Sequence, residues 1–147
     1  MMNEAPILIG YDGSDDARRA VDFAAALFGN RRAVVLDVAP VITAAESLAT
    51  VVPGSYAFGD YNRSEAAPTA AEGVRYGRGA GLAAEARVEV VAPTWQGVVD
   101  VADEIDAAVI VMGSRGLNGA RELFEGSLSH EVAEHAGRPV LIVPPPR

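Results

Sequence analysis

The chain has 147 residues, 50% of them hydrophobic and 22% charged, which suits one globular domain with a sizeable core and would crowd two. Twelve basic against twenty acidic side chains leave a formal charge of −8, so no general attraction to nucleic acid or to anionic lipid is expected. Every basic residue is Arg, and without Lys or Cys the chain lacks a Schiff-base amine, a Walker-type phosphate lysine, a thiol nucleophile and cysteine-ligated zinc.

Met1 to Gly10 carries Glu4 where a secretory signal would be basic, and it runs directly into an apolar segment, so no targeting peptide is expected. Apolar runs such as Ala107 to Met112 fall short of the roughly 20 residues of a membrane helix. With cysteine absent as well, a cytoplasmic protein without membrane contact is predicted.

In chain order, Ile7 to Tyr11 reads as a first strand. An amphipathic helix follows, with Ala17, Ala20, Val21, Ala24, Leu27 and Phe28 on its apolar face. Ser14 is its expected N-cap, Asp15 and Asp16 suit the positive end of the dipole, and Gly29-Asn30 ends it. Ala33 to Val38 is the second strand. Pro40 to Pro68 lacks clean periodicity and reads as a long insertion, with a short helix around Thr43 to Ala49. A second main helix is expected over about Thr69 to Ala86, weakened by its glycines. A third strand follows at Val88 to Ala92, whose Glu89 suits a sheet edge. A helix with Thr94 as N-cap is then expected to bury Val98, Val101, Ala102 and Ile105, with Trp95 packing at its start. Ala107 to Met112, a helix from Ser127 to Ala136 and a last strand at Val140 to Val143 complete the pattern.

Three of these strands are continuously apolar, as strands covered on both faces must be, so the pattern predicts an α/β fold with a parallel, doubly wound sheet. Ligands in such sheets bind beyond the carboxyl ends of the strands. The first strand runs into Gly10-Tyr11-Asp12-Gly13-Ser14-Asp15-Asp16, a turn that repels phosphate and suits sugar hydroxyls, an exocyclic amine or a hydrated cation. Capping explains Ser14, Asp15 and Asp16; for Asp12, capping and ligand binding are equally open on residue grounds.

The fourth strand leads into Gly113-Ser114-Arg115-Gly116-Leu117, and Gly126-Ser127-Leu128-Ser129 opens the last helix. Here glycines admit backbone N–H groups to an anion, a helix N-terminus adds donors, and serine hydroxyls and Arg115 supply what lysine does not. His130 and His135 are five apart on one helix, about 140° around its axis, and cannot chelate one metal together. No metal site and no catalytic residue is expected.

The spacing Gly113-x2-Gly116-x9-Gly126-Ser127, with the strand Ala107 to Met112 before it and Gly137 to Val143 after it, resembles the universal stress protein family. The opening Ile7 to Ser14 is similar to that family's first strand and turn. The resemblance spans the chain outside 40–68 and implies one Rossmann-like domain over 1–147, with an open five-stranded parallel sheet in the order 3-2-1-4-5. It implies an ATP-binding member, with or without Mg2+, acting as a nucleotide-dependent stress-response switch. The enzymatic alternative is a slow ATPase or self-phosphorylating protein using the same pocket. By resemblance, Asp12 belongs near the adenosine, Gly10 at the same strand end, and the backbone of Val38 at the adenine edge. Gly113 to Leu117 and Gly126 to Ser129 belong at the ribose and phosphates. A homodimer through Val140 to Val143 is implied too, and the downstream protein partner is not named by any motif. A receiver domain would need a lysine, and a flavin module is opposed by the acidic first turn.

Overall fold

A computed structural model of the chain describes residues 4–39, 58–114 and 128–147, with 58–65 described by their backbone alone. Five strands form one parallel sheet: β1 (Ile7–Gly10), β2 (Arg32–Ala39), β3 (Ala83–Val90), β4 (Val109–Gly113) and β5 (Val140–Val143). Their order is β3-β2-β1-β4-β5, as the sequence led us to expect. Four helices are present among the described residues: α1 (Asp15–Phe28), α2 (Phe58–Gly79), α3 (Thr94–Glu104) and α4 (Leu128–His135).

Alternation along the strands sends side chains to two separate cores. Ile7, Ile9, Val35 and Val111 pack against Ala20, Val21 and Ala24 of α1 and Val74 of α2. Leu8, Leu36, Ile110 and Met112 pack against Val98, Val101 and Ala102 of α3 and Val132 of α4. The chain winds outward from β1 through β2 to β3, then returns to β4 on the other side of β1, so the crevice between β1 and β4 is the topological switch point.

Ser14 caps α1 by accepting from the N–H of Ala17 at 3.1 Å, with Asp15 and Asp16 in the first turn and Gly29 at the C-cap. Leu27, placed on the apolar face by periodicity, is 60% exposed, because that face is filled by the smaller Ala17, Ala20, Val21 and Ala24. α2 departs most from expectation. It begins at Phe58, inside the expected insertion, contains Pro68, and ends at Gly79 rather than Ala86. The alanine-rich stretch after it is strand: Ala83–Val90 pairs with Arg32–Ala39 over eight residues. Gly81, at φ +103, turns the chain between the two, and pairing against β2 overrides the helical preference of alanine. The expected helix at Thr43 to Ala49 lies outside the described residues. Pro93, not Thr94, occupies the N-cap of α3, and Thr94 is its first residue.

Gly73 of α2 is a packing device. A Cβ on Gly73 would stand 2.7 Å from the Tyr11 ring and from a Val35 methyl, so only glycine lets the helix lie this close to the sheet.

Candidate functional site

At the carboxyl end of β1 the backbone continues one residue further, the N–H of Tyr11 donating to the Leu36 carbonyl at 2.8 Å. The Tyr11 ring is buried against α2, and its hydroxyl donates to Glu72. Arg18 of α1 donates to the other Glu72 oxygen at 3.0 and 3.2 Å. Burial, then the bond to Glu72, pushes the Tyr11 phenol up to about 12. Burial of Glu72 works the other way, yet the hydrogen bonds from Tyr11 and Arg18 hold its carboxyl below the usual range. This triad ties β1, α1 and α2 together directly behind the switch point.

The chain then turns at Asp12, whose Oδ1 accepts from the N–H of Ser14 at 2.9 Å. One carboxylate oxygen is thereby spent on the turn. Beside it opens a cleft at the carboxyl ends of β1, β2 and β4. Its walls are mostly apolar, from Ala17, Leu36, Val38, Val98, Met112 and Leu128, and its acids are Asp12, Asp16 and Asp37. Gly10 and Gly113 give it a backbone floor. At Gly113 a Cβ would come within 3.0 Å of the Asp16 carbonyl oxygen, so a side chain there would push α1 away from the strand end.

Of the residues singled out in the sequence, Gly10, Asp12, Val38, Gly113 and Leu128 meet around this one cleft. Ser114 adjoins it, with its N–H donating to the Val143 carbonyl at 3.0 Å, but does not line it. Ser129 is turned inward and almost fully buried, and does not line it either. Arg115, Gly116, Leu117, Gly126 and Ser127 lie outside the described residues. His130 is exposed and away from the lining. His135, at the other end of α4, stacks on Trp95 with ring centroids 4.1 Å apart, so Trp95 has the packing role expected of it.

Asp37 escaped the sequence reading. It is 8% exposed and lines the cleft; burial, then the charge of Asp12, pushes its carboxyl up to about 6. The signal was available: Asp37 is the one charged residue in the apolar run Ala33 to Ala39, at the carboxyl end of a strand where ligands bind.

The universal stress protein family model matches residues 5–144. Universal stress protein YxiE of Bacillus subtilis (strain 168) is 31% identical, over 93% of this chain and 97% of the relative. The universal stress protein of Archaeoglobus fulgidus in complex with dAMP is 29% identical, with TM-score 0.64 over 94% of this chain and 96% of that one. A universal stress protein in complex with cAMP is 26% identical, with TM-score 0.66 over 95% of this chain and 96% of that one.

Proposed function

The chain belongs to the universal stress protein family, and from that premise we propose that it binds ATP in the cleft between β1 and β4 and acts in the cytoplasm as a nucleotide-dependent switch in a stress response. The observation behind this reading is the convergence of Gly10, Asp12, Val38, Gly113 and Leu128 on one cleft at the switch point of the sheet. Relatives of similar fold carrying dAMP and cAMP support an adenine nucleotide as the ligand.

The residues fit such a ligand. Val38, Val98, Met112 and Leu128 offer apolar walls that take a base and exclude water. Asp12, pinned by the Ser14 N–H, keeps an oxygen for a sugar hydroxyl. Asp12 and Asp37, on the side of β1 and β2, repel phosphate, so the phosphates belong on the side of β4, with Gly113 to Leu117 and Gly126 to Ser129. The start of α4 at Leu128 brings orphan N–H groups and the positive end of a helix dipole to that side. When bound, ATP supplies the negative charge those donors are suited to hold. With no lysine in the chain, the holding falls to backbone N–H groups, hydroxyls and Arg115, which suits retention of the nucleotide better than its turnover.

Calorimetric titration of ATP tests the assignment. Wild type is expected to give saturable heat and Gly126→Val to lose it; equal strong heats from both would remove the assigned phosphate side. Intact mass after incubation with ATP is expected to be unchanged, and a phosphoryl adduct would move the protein to the enzymatic alternative.

We also propose that the exposed edge of β5 pairs with its counterpart in a second copy. It is an edge strand, and Ile142 on it is 39% exposed.

A further inference from the structure

Asp37 has the chemistry of an acceptor that waits for a donor. It is more than nine-tenths buried and faces the cleft. Among the described residues no hydrogen bond or ion pair reaches its carboxyl, and the charge it feels is the like charge of Asp12. No arginine is among the residues that line the cleft with it. The carboxyl oxygens are open to the cleft, and a ligand that covers them without offering an N–H or O–H leaves a buried acceptor unpaired, whereas one that offers a donor does not bear that cost. Phosphate cannot do so, because both groups are anionic acceptors.

We infer that Asp37 is a specificity-determining residue of the cleft: its carboxyl accepts a hydrogen bond from a donor on the bound nucleoside, so the site selects nucleosides whose base or sugar presents an N–H or O–H there. This rests on the reading of the cleft as a nucleotide site. The donor is either an exocyclic amino group or a ribose hydroxyl, and the two are separable with analogues that lack one or the other.

The experiment is calorimetric titration of wild type, Asp37→Ala and Asp37→Asn with ATP, purine riboside triphosphate lacking the 6-amino group, 2′-deoxy-ATP and 3′-deoxy-ATP. Wild type is expected to prefer ATP by about tenfold or more over the one analogue that lacks the donor, the scale for a buried polar group left unpaired. In Asp37→Ala that preference falls below about threefold, while the ratios for the other two analogues stay as in wild type. Asp37→Asn, which keeps the shape and one acceptor oxygen, retains ATP binding with an intermediate ratio and guards against a folding defect. The inference is overturned if wild type discriminates against none of the analogues, or if both Asp37 variants keep the wild-type ratios. If wild type binds none of the four compounds, the nucleotide reading falls and takes this one with it. Binding of ATP with ratios indifferent to residue 37 removes only the role of Asp37.

Discussion

The Asp37 carboxyl, at the end of β2, is buried beside the Asp12 carboxyl that follows β1, and both face the same cleft. Two acids so placed make the folded state favour the proton. Burial first and Asp12 second push Asp37 up to about 6, from the 3.8 of a free aspartate. Between these values the folded protein binds more protons than the unfolded chain, so this group's contribution to stability is fully present below about pH 4 and is lost as the pH rises through about 6. Asp37→Asn removes the dependence. The variant is expected to gain on wild type as the pH is raised from about 4 to 7, by up to about 3 kcal/mol, in denaturant unfolding at each pH. A difference that is flat over that window would contradict the burial of an ionisable carboxyl here.

Gly113 has little room for a side chain. A methyl group there would meet the Asp16 carbonyl oxygen and Cβ at 3.0 Å. Gly113→Ala is expected to cost about 1–3 kcal/mol of stability in denaturant unfolding, the usual scale for overpacking, and to weaken ATP binding by tilting the first turn of α1. Unchanged stability would mean that the strand end is looser than the packing indicates.

Tyr11→Phe keeps the ring that packs against α2 and removes only the hydroxyl that donates to Glu72. A loss of about 0.5–1.5 kcal/mol is expected at neutral pH. Glu72, held below the ordinary carboxylate range, contributes stability that is present above that range and lost as the pH falls through its lowered value. The penalty of Tyr11→Phe should therefore shrink in acid, and a penalty independent of pH would break the assignment of the Glu72 partnership.

Ile142 on the edge strand β5 is the residue to change for assembly. Light scattering at micromolar concentration is expected to give a dimer for wild type and a monomer for Ile142→Asp, because a charge on an edge strand opposes pairing. A wild-type monomer would refute the proposed pairing.

The sheet was legible in the sequence because continuous apolar runs such as Ile7 to Tyr11 and Ala107 to Met112 have few alternatives to buried strands. The third strand was misplaced because Ala83 to Ala86 carries alanine's helical preference, and only the register against Arg32–Ala39 makes it a strand. Pro68 inside α2 misled in the same way: as a punctuation mark it ends an insertion, yet the helix runs through it from Phe58. For the site, glycines and Asp12 announced themselves by spacing and family resemblance. Asp37 did not, since its meaning depends on Asp12 arriving beside it from another strand. The apolar walls from Val98 and Met112 likewise read as core until topology brings α3 and β4 to one crevice.

The central claim, that adenine nucleotide binds at the carboxyl ends of β1, β2 and β4, is tested most directly by backbone amide NMR of the 15N-labelled protein during titration with ATP. The account predicts saturable shifts concentrated at Gly10, Asp12, Asp37, Val38, Gly113 and Leu128, with the amides of β5 and the far end of α4 unmoved. Shifts confined to β5 or to the His135 end of α4, or no saturable shift at all, would contradict it.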